Sequence, residues 1–188
     1  MRIPFAALVI CAAIGTPQMS SACAQLAPEV WMCDRGTEWE TAKWDVVGDG
    51  STRYILEFIM NFTQEWPGFA ITDSVATLEE QFATYVEWIA ADSVVAPEVL
   101  QVDKIVTPRG LTLRHLQYDE VDGDRTMSAV MLSEVGASRI MLYLDAADTM
   151  SLEQMEKMSF DVAMMLRDTC ADAISCAPED EPPAGGTD

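Results

Sequence analysis

The chain has 188 residues, nearly half of them hydrophobic, which is enough for one domain with a real core. It carries 31 acidic residues against 11 basic ones, a net charge of −20. That balance excludes nucleic acid and anionic lipid as partners, because both need a basic face.

The first two dozen residues are read as an export leader and not as fold. Arg2 supplies a small positive region, Ile3 to Gly15 is apolar and uncharged, and Thr16 to Ala24 is more polar. Small residues at Ala22 and Ala24 place the expected cleavage before Gln25. The apolar run is too short for a permanent span, so no transmembrane segment is expected after cleavage. The rival reading makes Cys23 the acylated residue of a lipoprotein, although Ser20-Ser21-Ala22 lacks the usual large aliphatic residue. The expected organisation is a leader over 1–24, one domain over 25–170, and an acidic, proline-rich, disordered tail over 171–188.

Val30-Trp31-Met32 reads as a short strand. Trp39 to Val47 alternates, with Ala42, Trp44 and Val46 on one face. After the turn Gly48-Asp49-Gly50-Ser51, a second strand is expected from Arg53 to Phe62, with Tyr54, Leu56, Phe58, Met60 and Phe62 inside and Glu57 and Asn61 outside. A loop carrying Trp66-Pro67-Gly68-Phe69 follows. Thr77 and Glu80 then form a capping box ahead of a helix whose apolar stripe is Leu78, Phe82, Tyr85, Val86 and Ile89.

Four strand-like runs come next: Val99–Val106, Leu111–Asp119, Thr126–Glu134 and Arg139–Asp145. The breaks at Pro108-Arg109-Gly110, Asp122-Gly123 and Gly136 are too short for parallel crossovers, so the runs make an antiparallel meander. Several are apolar on both faces, which predicts that part of the sheet is covered on both sides. A switch of parity between Leu113 and Leu116 predicts a bulge near Arg114-His115. Ser151 and Gln154 form a second capping box, opening a helix with the stripe Leu152, Met155, Met158, Val162, Met165 and Leu166. The fold class is therefore α+β, an antiparallel sheet packed by two amphipathic helices in an α/β/α-sandwich-like arrangement.

Three cysteines follow the expected cleavage site, so one disulfide and one free thiol are expected in an oxidising compartment. Cys33 with Cys170, or alternatively with Cys176, would join the start of the domain to its end and stabilise it by about 4 kcal/mol. A Cys170–Cys176 pair would close only a small loop.

Few residues suggest chemistry. His115 is the sole histidine, and a general base also needs a nucleophile and an orienting group. Asp119-Glu120-Val121-Asp122-Gly123-Asp124 is rich in carboxylates, but it misses the helix–loop–helix calcium spacing and suits a hairpin tip equally well. Met150, Met155, Met158, Met164 and Met165 could offer thioethers to copper, yet three of them lie on the core stripe, where methionine is an adaptable filler. No cofactor and no metal site is expected. Trp66, Phe69 and Trp88 are the aromatics that suit an interaction surface, or alternatively a cap on the core.

The order hairpin, helix, meander and C-terminal helix behind a leader resembles the PsbP/DcrB-like family of extracytoplasmic domains. The likeness is carried by Gly110-Leu111-Thr112-Leu113-Arg114 leading to Tyr118, by Met141-Leu142-Tyr143-Leu144, and by Met164-Met165-Leu166-Arg167. It implies an α/β/α sandwich and a non-enzymatic accessory role. The expected function is thus a periplasmic or secreted binding domain acting on an envelope protein. A small-molecule or metal binder is the alternative, and a hydrolase built on His115 ranks last.

Overall fold

The computed structural model describes residues 23–34, 36–47, 51–57, 59–66, 76–121, 123–147 and 150–168. Apart from Cys23 and Ala24, the leader and the acidic tail lie outside these residues, as do Gly48 to Gly50 and Pro67 to Phe69. In chain order the elements are β1 (Cys23–Ala27), β2 (Val30–Cys33), a 3-10 turn (Glu38–Thr41), β3 (Lys43–Val46), β4 (Thr52–Leu56), β5 (Ile59–Glu65) and α1 (Leu78–Asp92). The meander follows as β6 (Glu98–Thr107), β7 (Gly110–Val121), β8 (Asp124–Val135) and β9 (Ser138–Ala147), then α2 (Leu152–Met165) and β10 (Leu166–Arg167).

Seven strands form one antiparallel sheet in the order β3-β4-β5-β9-β8-β7-β6, and β1, β2 and β10 form a small second sheet. Two-residue connections set the meander's register, with Thr107 opposite Gly110 and Val135 opposite Ser138. Gly110 is required by close approach, since a Cβ there would collide with the Glu134 carbonyl.

Both faces of the large sheet are covered over its central strands, as the two-sided apolar strands imply, while β3 and much of β6 at the edges are exposed. On one side α1 packs Leu78, Phe82 and Tyr85 against Leu113, Val130, Leu132 and Met141. On the other side Met155, Met158, Val162 and Met165 of α2, together with Ala27, Val30 and Met32 of the small sheet, cover Leu116, Met131, Leu142 and Leu144. Both capping boxes form, Thr77 with Glu80 and Ser151 with Gln154. A buried arginine ties each helix to the sheet. Arg139 donates to Glu134, to Gln81 and to the Ala76 carbonyl on the α1 side; Arg114 donates to Asp103, to Ser159 and to the Glu156 carbonyl on the α2 side.

Four local expectations are corrected. The strand expected from Arg53 to Phe62 is two strands folded back on each other, with Leu56 opposite Ile59 and Glu57 at φ 53° in the connection. The reversal inverts the pattern beyond it: Asn61 is fully buried on the Tyr54 side, while Phe62 turns to the α1 side. The run from Trp39 is not strand at its start, because Trp39 sits in the 3-10 turn with no exposure at all, and Trp44 and Val46 are exposed. The irregularity near Arg114-His115 belongs instead to the neighbouring strand, where the register shifts between Val99 and Gln101. Leu113 and Leu116 simply face opposite buried layers. Leu152, expected in the α2 stripe, is exposed at the helix start.

The disulfide is also corrected. Cys33 is bonded to Cys23 and not to Cys170 or Cys176, both of which lie outside the described residues. The cause is local pairing. β1 and β2 are joined through Pro28-Glu29, Glu29 adopts φ 61°, and the antiparallel register sets Cys23 directly opposite Cys33. β1 therefore begins before the expected boundary at Gln25.

Candidate functional site

Between α1 and the strands β5 and β9 runs a groove of about 340 Å³, within the size range of ligand-binding clefts. Tyr85, Trp88 and Asp92 wall it from the helix, and Phe62, Gln64 and Tyr143 rise from the sheet. The spacing of these residues explains the wall. Tyr85 and Trp88 are one turn apart, so both lean over the same strip of sheet, and Asp92 follows one turn later. Tyr85 is buried and donates its hydroxyl to the Leu142 carbonyl at 3.3 Å, and burial pushes its pKa well above the usual phenol value. Trp88 is 58% exposed.

Of the aromatics expected to form a surface, two meet here in different roles. Trp66 is half-buried, stands edge-on to Tyr85 with ring centroids 6.4 Å apart, and donates its backbone N–H to the Arg139 carbonyl. It supports the wall from behind. Trp88 is the one presented to solvent, and Phe69 lies outside the described residues.

From the groove, Tyr143 reaches a buried acidic cluster that sequence periodicity did not single out. Asp119, 2% exposed, accepts hydrogen bonds from Gln117 Nε2 at 2.8 Å, from the Ser128 hydroxyl, from Tyr143 at 3.3 Å and from Ser93 at 3.4 Å. Ser93 is the C-cap of α1, so this carboxylate fixes the helix end over the sheet. Asp145 lies nearby, and burial, with the charge of Asp119 adding to it, raises its pKa above the ordinary carboxylate value. Burial likewise raises the Tyr143 phenol. Strand alternation alone places Asp119 on the sheet face that carries Gln117 and His115. Its inward turn was masked in the sequence by the acidic hairpin around it.

The other expected sites are dispersed. His115 is buried on the α1 side of β7, and among the described residues its Nε2 meets no hydrogen-bond partner. Burial lowers its pKa, although Asp119 pulls in the opposite direction. Glu120 and Asp124 are exposed on the hairpin while Asp119 is bonded inward. Among the described residues no three His, Cys, Asp or Glu side chains gather closely enough to hold a metal ion. Met155, Met158 and Met165 are buried in the α2-side core. Among the described residues no helix is long and apolar enough to cross a membrane.

A second cleft, of about 560 Å³, opens on the opposite side between the 3-10 turn, the β4–β5 reversal and α2. Thr37, Glu38, Leu56, Ile59, Met150 and Met158 line it. Among the described residues, four side chains on this side of the sheet bury polar atoms without a partner: Trp39 Nε1, the Tyr54 hydroxyl, both ends of the Asn61 amide, and the Thr63 hydroxyl. Desolvation raises the Asp34 carboxyl to about 6, and Glu40 adds to the shift. Because this pKa is higher in the folded chain than the ordinary 3.8, the unfolded chain gives up its proton first. Asp34 therefore favours the fold most below pH 4, and that contribution is lost as pH rises to about 6. Asp34→Asn should flatten this part of the stability profile, read as urea midpoints at pH 4 and pH 7. An unchanged slope would show that Asp34 titrates as if exposed.

No family model matches the chain, and no curated protein matches it either. Among solved structures, the Saccharomyces cerevisiae Ran-binding protein Mog1p is similar to it at 12% identity, with a TM-score of 0.42, over 71% of this chain and 78% of that one.

Proposed function

We propose that the chain is an exported, non-enzymatic binding domain of the cell envelope, and that it holds a segment of a protein partner in the α1 groove. The observation that carries this is Trp88. A tryptophan with more than half its surface in water, beside a preformed cleft floored by Phe62 and Tyr143, has the chemistry of an interface anchor. Asp92 at the rim and the net charge of −20 favour a partner segment that pairs an apolar side chain with a basic one. The leader-like N-terminus supports the envelope location, and the element order supports a PsbP/DcrB-like reading of the family. A binding role also suits the cluster around Asp119, whose carboxylate is held by four donors and is more a rigid support than a free base.

The test is binding of envelope proteins to the immobilised domain. Trp88→Ala should weaken retention by about 30-fold, as loss of an interface anchor does, while leaving the melting temperature nearly unchanged. Trp44→Ala is the control, because Trp44 is similarly exposed but stacks on Tyr54, away from the groove. Trp66 is a poorer probe, since its removal would disturb Tyr85. Equal retention by the wild type and Trp88→Ala would overturn the assignment of the groove.

A further inference from the structure

We infer that the leader is removed between Ala22 and Cys23, and that the new N-terminal residue is locked at once to Cys33 as a disulfide. The inference rests on the export reading above and goes beyond it, because it assigns both the cut and the chemical fate of the Cys23 sulfur.

Three observations converge. First, Cys23 is folded structure. It opens β1, pairs with Cys33, and is 5% exposed, as is Cys33. Ala24 and Leu26 of the same strand pack on the α2-side core. A cut before Gln25 would remove Cys23 and Ala24, shorten the strand, and leave the buried Cys33 thiol alone. Second, the residues before Cys23 suit the earlier cut: Ser20 and Ala22 stand at the −3 and −1 positions, where small side chains are needed. Third, the cysteine count becomes even. A chain beginning at Cys23 retains four cysteines, Cys23, Cys33, Cys170 and Cys176, whereas one beginning at Gln25 retains three. An even set has no obligatory free thiol in an oxidising compartment.

The chemistry is balanced in two steps. Hydrolysis of the Ala22–Cys23 bond adds one water, leaving a carboxylate on Ala22 and an amine on Cys23. The Cys23 and Cys33 thiols then lose two protons and two electrons to form the S–S bond. The oxidant is a disulfide, either that of a thiol–disulfide oxidoreductase or oxidised glutathione, which is reduced to two thiols. The same sulfur cannot also carry a lipid, since a diacylglyceryl thioether would occupy Sγ. The disulfide therefore makes this a soluble N-terminus and excludes the lipoprotein form.

The full chain, Met1 to Asp188, is expressed with its leader in a bacterium, purified from the envelope fraction, alkylated without reduction and digested with trypsin. No Lys or Arg lies between Cys23 and Arg35, so one peptide reports every feature. The expected species is Cys23–Arg35, two hydrogens lighter than its dithiol form, which takes up no alkyl group until it is reduced. In a Cys33→Ser variant the peptide should still begin at Cys23, now with an alkylated thiol. A peptide beginning at Gln25, a diacylated Cys23, or two alkylated cysteines without reduction would each overturn the inference. A peptide beginning at Ile3, from an uncut chain, would instead overturn the export reading on which it rests.

Discussion

Arg114→Met is expected to destabilise the domain by about 3 to 5 kcal/mol, the scale seen when one partner of a buried ion pair is removed. The side chain is 7% exposed and all of its reach is used. Nε and Nη2 grip both oxygens of Asp103, at 2.8 and 2.5 Å, and Nη1 donates to the Glu156 carbonyl and to Ser159 Oγ, each at 2.8 Å. Methionine fills much of the volume but donates nothing, so the Glu156 carbonyl keeps only its bonds within α2, such as that from Ser159, and the Asp103 carboxylate keeps only the amide of Gln101. Asp103 is about one-third exposed and can recover some hydration, which sets the loss toward the lower end. Asp103→Ala keeps the two bonds to α2 but leaves the buried guanidinium without its counter-charge, so it should cost at least as much. The pH profile adds a second readout. The Arg114 hydrogen bond holds the Asp103 carboxyl below its usual pKa, so the pair stabilises the fold above the unfolded pKa of 3.8 and that contribution is lost as pH falls through the lower, folded value. In Arg114→Met this acid-side loss should vanish. Urea unfolding with an unchanged m-value would report both effects, and a loss below about 1 kcal/mol would show that the pair contributes no more than an exposed one.

Residues whose local chemistry names their structure were legible beforehand. Thr77 with Glu80, Ser151 with Gln154, and the glycines of the meander turns announce their roles within four residues of chain, and all of them hold. What was not legible depends on partners distant in sequence or on a conformation the side chain does not advertise. Glu57 takes a left-handed φ without the Gly, Asn or Asp that marks most such turns. A reversal was therefore read as continuous strand, and Asn61 was put outside although it is fully buried. The roles of Arg114 and Arg139 were not visible, because the carbonyls that accept from them, one in α2 and one just ahead of α1, lie 42 and 63 positions away. Cys23 was assigned to the leader because Ala22 and Ala24 fit a cleavage pattern, a rule that does not weigh strand pairing. At the groove, Trp66 and Trp88 were singled out as aromatics of either a surface or a cap on the core. Only the packing of Tyr85 between helix and sheet shows that one supports the wall and the other faces solvent.

Trp39→Ala should destabilise the domain by about 3 to 5 kcal/mol, as deletion of a buried aromatic does. Trp39 has no exposed surface and belongs to the α2-side core, so it anchors the 3-10 turn there. The informative comparison is Trp39→Phe. The indole N–H is buried without a partner among the described residues, so tryptophan carries a desolvation cost that phenylalanine does not. Phenylalanine leaves a smaller void than alanine and removes that cost, so Trp39→Phe should lose only about 1 kcal/mol. The difference between the two variants separates volume from polarity at this position. If Trp39→Phe were as damaging as Trp39→Ala, the indole N–H would have to be bonded in solution, and an ordered water shared with the unpartnered Asn61 amide and Tyr54 hydroxyl would be the physical cause. If it loses little, those groups are buried at a cost to the fold. The second cleft, lined by Thr37, Leu56 and Ile59 from the same elements, would then border a region of the core already carrying that cost.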